Sequence, residues 1–483
     1  MTGAAAPVAV AGGPEVTVRA VVLGVALGLV FAAANAYLGL RVGMTLATSI
    51  PSVIMTVAIT RALGRPATPL EATLAQCIGS ASTSLATGAI FTLPALYLWG
   101  APPSFLQVAL IALCGGVLGT AAMIPLRRTL IVDGEAELPY PEGRAAAEVI
   151  AAATRGLPGA AWIFRGLAIG AAAKLIVALT AALPGELAGH VPGAPSIEIG
   201  VELAPALLGV GYILGPGRGA VLVSGSALAA LVLAPILAFG FPDLASPASP
   251  IRAGAMSADQ LWAGFLRYIG AGAVALAGIG TLIAGLPALV GAFAAVVRRL
   301  RGGSAAGRGR DLPAGVVAAG LATVVVIVAV VPAVLGAGLG AGARVACALA
   351  VGGFGVVFVA VLARIAGIVG TSSQPTSGVT IVTVLAIAGL FSLLGWTLRG
   401  DQVAVLCVGA IVAIAASASG EMAQDLKTAH LVGAAPAWQQ LGQLLGVVTA
   451  CWMVAATLGF LAESYGYGTA ELPAPQATLI KTL

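Results

Sequence analysis

The chain has 483 residues, of which 59% are hydrophobic and only 8% are charged. Soluble globular proteins carry about 25% charged residues, so this composition excludes an ordinary soluble domain. The net charge of +5 belongs to short loops, which excludes an extended basic surface for nucleic acid.

Apolar runs long enough to cross a bilayer, about 20 residues each, recur along the whole chain. They are continuously apolar rather than alternating, so they predict helices and not the strands of a membrane barrel. The candidate spans are 17–40, 43–63, 73–98, 104–126, 160–183, 203–240 (two helices broken at Gly215-Pro216-Gly217), 259–299, 313–336, 343–369, 376–396, 402–420 and 438–462. We therefore expect an all-α, polytopic transmembrane bundle of about 12–13 membrane segments, with re-entrant or broken helices.

Charged loops predict the orientation of these spans. Arginines in 61–65, 127–128 and 298–310 indicate cytoplasmic loops, whereas 183–200 contains two acids and no Lys or Arg and indicates an outside loop. Residues 1–15 lack the basic start of a signal peptide and are expected to form a flexible tail. Abundant Ala, Gly and Arg are typical of a GC-rich bacterial genome, so the predicted location is the bacterial inner membrane.

The stretch NAYLGLRVGMTLATSIPS, residues 35–52, joins the first two spans. Polar side chains are expensive inside a membrane, and glycine or proline loosens a helix there. The stretch contributes the substrate-path candidates Asn35, Tyr37 and Arg41 and the backbone-breaking residues Gly39, Gly43 and Pro51. By position alone, an interfacial corner with Tyr37 and Arg41 at the lipid headgroups explains it equally well.

The stretch ELPYPEGRAAAEV, residues 137–149, combines a proline-broken segment with a helical run. Its backbone-breaking residues are Pro139, Pro141 and Gly143, and its polar candidates are Tyr140, Glu142 and Glu148. Arg144 is placed to pair with Glu148 at i, i+4 on a helix. The pattern fits a re-entrant loop or half-helix, and a cytoplasmic linker is the alternative, since arginines stand just before it.

The stretch GTSSQPTSGVTI, residues 370–381, holds the equivalent place later in the chain. Pro375 interrupts the helical hydrogen bonds, and Gln374, Thr376 and Ser377 can satisfy the freed backbone groups or contact a polar ligand. A solvated loop is the alternative, although an apolar span follows without a charged flank.

The stretch ASASGEMAQDLKTAHLVGA, residues 416–434, is the densest charge cluster beside a span. On a helix Glu421 and Asp425 lie at i, i+4, and Gln424 and Lys427 at i, i+3. Lys427 is predicted to pair with one of these acids, which would lower the cost of charge near lipid. The cluster suits proton or substrate coupling, and an ordinary cytoplasmic helix end is the alternative.

Two short words repeat at nearly the same distance. ELPYPEG at 137 and ELPAPQA at 471 are 334 positions apart, and Ser80-Ala81-Ser82 and Ser417-Ala418-Ser419 are 337 apart. The first four spans, shifted by this distance, overlap later spans in the same order. We therefore predict an internal duplication, with a first repeat at 16–336 and an incomplete second repeat at 337–483, and repeats of this kind place the substrate site at their interface.

Signals for enzyme chemistry are weak. The five cysteines are scattered through apolar runs, and only two histidines occur, so no metal-binding spacing is present. No arrangement of serine, histidine and acid indicates a nucleophile, and we predict a protein that is not an enzyme and has neither a metal nor a cofactor.

Together these stretches resemble the oligopeptide transporter (OPT) superfamily, which also contains yellow-stripe-like metal-chelate carriers. The resemblance rests on NAYLGLRVGMTLATSIPS, LPYPEGRAAAEV, SSQPTSGVTI, QDLKTAHLVGA and LPAPQA, which lie in the family's order from about residue 20 to the end. It implies a carrier of two homologous halves that imports small peptides or peptide-like metal chelates by alternating access, driven by a proton gradient. The polar residues of the matching stretches, among them Gln424 and Lys427, would line the path, and the proton-coupling candidates are Glu142, Glu148, Glu421 and Asp425.

The sequence also departs from the family, whose members run well beyond the second LPAPQA word. Only 12 residues follow Glu471 here, so the last part of the second repeat is expected to be missing. This leaves open a non-transporting membrane protein, either a truncated or degenerate copy or a subunit. The expected partners are the substrate, the lipid bilayer, and a second copy or a partner chain that supplies the missing spans.

Overall fold

We analysed the chain as a computed structural model. The structure describes residues 13–42, 45, 47–135, 137–155, 160–180, 186–192, 194–202, 205–246, 249–266, 268–270, 272–273, 276, 280, 311–336, 338–369, 376–396, 398–469 and 471–482. The chain divides into two compact units, a larger unit of Met1–Ala160 with Ala277–Leu483 and a smaller unit of Ala161–Leu276.

Helices make up the larger unit. Before the smaller unit they are α1 (Val18–Val42), α2 (Ser49–Ala62), α3 (Pro69–Leu98), α4 (Phe105–Met123) and α5 (Pro141–Arg155). A 3₁₀ turn (Ile124–Leu126) and a π-helical turn (Arg128–Asp133) follow α4.

The smaller unit combines helices with two short hairpins. In chain order it contains α6 (Ala160–Thr180), β1 (Glu186–Val191), β2 (Ala194–Glu202), α7 (Pro205–Ala227), π-helical turns (Leu228–Leu233, Ile236–Gly240), β3 (Ala245–Ser246), β4 (Ser249–Arg252), a 3₁₀ turn (Ala253–Ala255), α8 (Ala258–Leu261) and a further π-helical turn (Trp262–Leu266). Both strand pairs are antiparallel. Ala234, Ala238, Met256 and Leu261 belong to its small apolar core.

The larger unit resumes with helices of 4 to 34 residues. They are α9 (Ala314–Val330), α10 (Pro332–Leu335), α11 (Ala341–Val369), α12 (Thr376–Leu393), α13 (Arg399–Val432), α14 (Pro436–Ser464) and α15 (Pro475–Thr482). Over the described residues of the whole chain, seven helices are long and apolar enough to cross a membrane. The prediction of a helical, multi-pass membrane protein is confirmed.

Helices α3 and α13 form the centre of the larger unit. They pack against each other, and each has further extensive contacts: α3 with α1, α2, α14 and α15, and α13 with α11, α12, α4 and α5. Nearly all of both helices is buried. Glycine permits the close approach, because a Cβ atom on Gly88 would overlap the backbone of Ile414.

The start of α3 follows from local sequence. Thr68 accepts a hydrogen bond from the Glu71 backbone N–H at 3.1 Å, while the Glu71 carboxylate accepts one from the Thr68 N–H at 2.9 Å. The sequence Thr-Pro-Leu-Glu therefore encodes a reciprocal capping interaction, with Pro69 at the first helical position. Arg19 of α1 also pairs with Glu71 at 2.5 Å, which ties the start of α3 to α1.

The two repeated words adopt matching backbone conformations. Tyr140 and Ala474 have positive φ angles of 45° and 43°, and each directly precedes a helix that begins at proline. The Tyr140 N–H donates to the Gly367 carbonyl of α11 at 3.1 Å, and the Ala474 N–H donates to the Leu40 carbonyl of α1 at 2.9 Å. Each corner is thus held by a helix from the other predicted repeat; the repeat boundaries themselves stay a prediction.

Several sequence expectations need correction. The helix predicted at 402–420 is longer, because α13 continues to Val432 and its polar residues are buried among neighbouring helices. Pro216 lies inside α7 and does not divide it. The predicted outside loop 183–200 contains most of the β1–β2 hairpin. Most of the predicted span 259–299, and all but the last residues of the tail 1–15, lie outside the described residues.

The contact between α3 and α13 gives a stability prediction. Gly88→Ala should lower stability by about 1–3 kcal/mol, because the added methyl group forces two tightly packed backbones apart. Gly459→Ala in α14 is the matched control, since a Cβ atom there meets nothing within 4 Å. Thermal unfolding of the purified protein in detergent measures both. Equal melting temperatures for the two variants would contradict the packing described here.

Candidate functional site

The carboxylate of Asp425 lies at the centre of the larger unit and is only 1% exposed. Four side chains from three helices hydrogen-bond it. They are Ser49 of α2 at 3.4 Å, Gln76 of α3, Ser80 of α3 at 2.5 Å and Gln443 of α14 at 2.5 Å. The single proton of the Ser49 hydroxyl is shared with a nearer acceptor, the Glu421 carboxylate. Gln76, Ser80 and Gln443 therefore do most to stabilise a charge that burial would otherwise make costly.

Two further acids lie beside Asp425. Glu421 stands one helical turn earlier on α13, and its carboxylate accepts a hydrogen bond from the Ser49 hydroxyl at 2.8 Å. Glu142, in the first turn of α5, is also buried. Both carboxylates interact electrostatically with Asp425. We call Ser49, Gln76, Ser80, Glu142, Glu421, Asp425 and Gln443 the Asp425 site.

Close contact between α5 and α13 places Glu142. The Gly143 N–H donates to the Gln424 side chain at 2.8 Å, and the Thr428 hydroxyl donates to the Gly143 carbonyl at 2.9 Å. A Cβ atom on Gly143 would overlap the Gln424 carbonyl, so only glycine allows this approach. Gln424 also donates to the Ala366 carbonyl of α11 at 2.9 Å. The words YPEG and QDLKT are therefore brought together through backbone contacts.

Lys427 is paired differently from its prediction. Its ammonium group is fully buried and lies 2.7 Å from the carboxylate of Glu135, which is 33% exposed. The predicted pairing with Glu421 or Asp425 is wrong. Lys427 stands six and two residues after these acids on α13, and neither spacing places two side chains on the same face of a helix. Arg144 likewise lies 3.6 Å from Glu135, whereas its predicted partner Glu148 is exposed.

Glu135 is therefore the counterion of both Lys427 and Arg144 at this end of α13. The hydrogen bond from Lys427 holds the pKa of Glu135 below its ordinary value, and the charges of Lys427, His430 and Arg144 act in the same direction. Sequence reasoning missed Glu135, because a single acid in a loop carries no periodic signal.

Other predicted residues have contacts of their own. The Arg41 guanidinium donates to the Tyr37 hydroxyl at 2.6 Å, and the Tyr37 ring lies 6.4 Å, between centroids, from the ring of Tyr465, which directly follows α14. Tyr140 is completely buried and donates to the Ala363 carbonyl of α11 at 3.2 Å. Asn35 is buried within α1.

The backbone-breaking candidates occupy turns and close contacts. Pro51 lies in the first turn of α2, and Pro141 is the first residue of α5 with Pro139 two residues before it. Gly39 is packed against Ile90, and a Cβ atom there would overlap that side chain. Gly43, Gln374 and Pro375 lie outside the described residues, and Thr376 and Ser377 are described only as the backbone of the first turn of α12.

Several residues of the Asp425 site were not singled out from the sequence. Gln76 and Gln443 stand inside apolar runs, where an amide is expensive, and this cost was the available signal. Ser80 had been noticed only as part of a repeated word, and Ser49 only as part of a longer polar stretch. Among the described residues no group of three or more His, Cys, Asp or Glu is placed to hold a metal ion.

Comparison with known proteins extends these observations. Residues 15–483 match the family model described as OPT oligopeptide transporter protein. The chain is also 32% identical over 441 residues to a Haemophilus influenzae protein named "Putative oligopeptide transporter", a match that covers 84% of this chain and 68% of that protein. The family match includes every residue of the Asp425 site.

The pairing of Glu135 with Lys427 predicts a loss of stability on neutralisation. Glu135→Gln leaves a buried ammonium group without its counterion, which costs about 1–3 kcal/mol. Glu137→Gln is the matched control from the same loop, because Glu137 is 75% exposed and lies 3.6 Å from a partly exposed arginine. Thermal unfolding in detergent should show a clear loss for the first variant and little change for the second.

The loss of stability caused by Glu135→Gln should depend on pH. Because the folded-state pKa of Glu135 is lowered, its contribution is complete above the ordinary glutamate value of about 4.3. The contribution disappears as the pH falls through the lower folded value. The difference between wild type and Glu135→Gln should therefore be constant near neutrality and shrink in acid. A difference that grows in acid would contradict the assigned pairing.

Proposed function

The chain belongs to the OPT oligopeptide transporter family, and from this premise we propose that it is a secondary active transporter driven by a proton gradient. The proposed substrates are small peptides or peptide-like metal chelates. The proposed cycle is alternating access, in which the protein opens in turn to the two sides of the membrane.

The observation that carries this proposal is the Asp425 site. Its three carboxylates, Glu142, Glu421 and Asp425, are all buried within a membrane protein. Ionisable groups in such positions are costly, and their usual roles are in ion pathways and proton relays. Neutral donors compensate one negative charge at Asp425, whereas further negative charges at Glu421 and Glu142 repel it. Binding a proton in this group relieves that repulsion, so the site has a physical reason to exchange protons.

The helices that supply the site connect its protonation to movement. Asp425 receives hydrogen bonds from α2, α3 and α14, while the same helix α13 holds the start of α5. Protonating a carboxylate removes a hydrogen-bond acceptor and adds a donor, so the bonds joining these helices must rearrange. In the proposed cycle the protonated and deprotonated sites favour different orientations of the protein. Proton binding then shifts the population between the two orientations, because the proton binds one of them more tightly.

The substrate class is proposed from the family name and the printed name of the relative. A small peptide and a peptide-like metal chelate both present carboxylates, amines and carbonyl oxygens, so one polar path can accept either. Uptake of labelled di- to tetrapeptides and of chelated iron by proteoliposomes distinguishes them. Absence of uptake for both, with and without a pH gradient, would sink the proposal.

Neutralising the acids tests the coupling. Asp425→Asn should abolish proton-driven accumulation, because the amide cannot exchange the proton, while counterflow exchange of substrate without a gradient continues. Glu421→Gln and Glu142→Gln should reduce proton-driven uptake in the same assay. Glu148→Gln is the matched control, since Glu148 is exposed on the same helix as Glu142, and it should behave as wild type. Undiminished proton-driven uptake in all three buried-acid variants would contradict the coupling.

A further inference from the structure

A row of hydroxyl groups follows one face of α2. Ser49, Ser52, Thr56 and Thr60 stand at intervals of three, four and four residues, which places them on the same side of a helix. All four are almost completely buried. The row begins at the Asp425 site, where Ser49 donates to Glu421. It leads toward the C-terminal end of α2, where the following residues 63–65 are exposed.

Two hydroxyls in this row have no hydrogen-bond partner among the described residues. They are the Ser52 Oγ and the Thr56 Oγ1. The Gln76 Oε1 of α3 is also buried without a hydrogen-bond partner among the described residues. Leaving such groups unpaired costs free energy, and buried polar atoms are nearly always bonded to protein or to water. Other hydroxyls in these helices are satisfied: Thr60 donates to the Thr56 carbonyl at 2.8 Å and Ser84 to the Ala81 carbonyl at 2.8 Å.

Two of the three unpaired atoms, the Ser52 Oγ and the Gln76 Oε1, lie next to the groups that bond Asp425. Ser52 faces Gly79, whose Cβ position would be 2.7 Å from the Ser52 Oγ. Gly79 stands between Gln76 and Ser80, the two residues of α3 that donate to Asp425. The boundary between α2 and α3 therefore carries unused hydrogen-bonding capacity that is contiguous with the carboxylates.

We propose that Ser52, Thr56 and Gln76 bind water molecules that connect the Asp425 site with the exposed end of α2. Buried waters typically make about three hydrogen bonds to polar groups that otherwise lack partners, and this boundary offers such groups in a row. Each water or hydroxyl can accept one proton and release another. A proton taken from solvent can thus reach Glu421 or Asp425 without any lasting change in the intervening groups. This pathway rests on the proposed proton coupling and specifies how the proton reaches the Asp425 site.

Cysteine accessibility tests for the water. Ser52→Cys and Thr56→Cys should react with a small charged methanethiosulfonate reagent, because the reagent follows a hydrated path. The control Ser84→Cys is buried on α3 at a hydroxyl that is already bonded, and it should stay unlabelled. The five native cysteines are all buried, and wild type sets the background. If both α2 variants fold, by gel filtration, and neither is labelled, the pathway is wrong.

Transport supplies an independent readout. Thr56→Val keeps the shape of the side chain and removes the hydroxyl, so proton-driven uptake should fall about tenfold, the effect of roughly 1.4 kcal/mol on a rate. Counterflow exchange should be unchanged, and Thr56→Ser should restore proton-driven uptake. Equal proton-driven rates for Thr56→Val and wild type would overturn the route.

The two proposals fail in different ways. Labelling is measured without transport, so unlabelled variants reject the hydrated path even when Asp425→Asn shows that coupling depends on Asp425. Conversely, proton-driven uptake that survives neutralisation of all three acids rejects the coupling, whatever the labelling shows.

Discussion

The hydrogen bonding of one buried carboxylate is the constraint on which the larger unit depends. Asp425 cannot keep a charge inside a membrane protein unless neighbouring groups replace the water it has lost. Ser49, Gln76, Ser80 and Gln443 do so: the first three come from α2 and α3 in the first hundred residues, and the last comes from α14. Satisfying this single group therefore fixes how α2, α3, α13 and α14 meet. Any change in the protonation state of Asp425 alters the hydrogen bonds that join all four helices.

Close backbone contact supports this centre. Gly88 allows α3 to approach α13, and Gly143 allows the start of α5 to reach the same helix. The proline-flanked corner at Tyr140 then turns the chain so that Glu142 enters the buried region. Glu135 neutralises Lys427, which stands two residues after Asp425 on α13. Packing, backbone geometry and charge pairing thus all stabilise the contacts of α13 with its neighbours. A functional site is positioned more precisely when the helices that carry it are held in this way.

Sequence reasoning found part of the site for identifiable reasons. Glu421 and Asp425 were recognised because charge is conspicuous in an apolar chain and because their i, i+4 spacing defines a common face. Lys427 was recognised as important but given the wrong partner, since the correct one, Glu135, is nearly 300 residues away in the chain. The amide of Gln443 is costly in its apolar run, but only its position opposite a carboxylate shows its role.

The sequence by itself determined the class of protein. Its long apolar runs and missing surface charge require membrane helices, and its repeated words mark two corners with the same backbone conformation. The tertiary structure alone decided which polar groups meet. A buried hydrogen bond depends on the distance between atoms, and distance across a helical bundle is set by packing between remote segments rather than by local sequence. For this reason Asp425 was visible in the sequence, whereas the donors that make its burial tolerable were not.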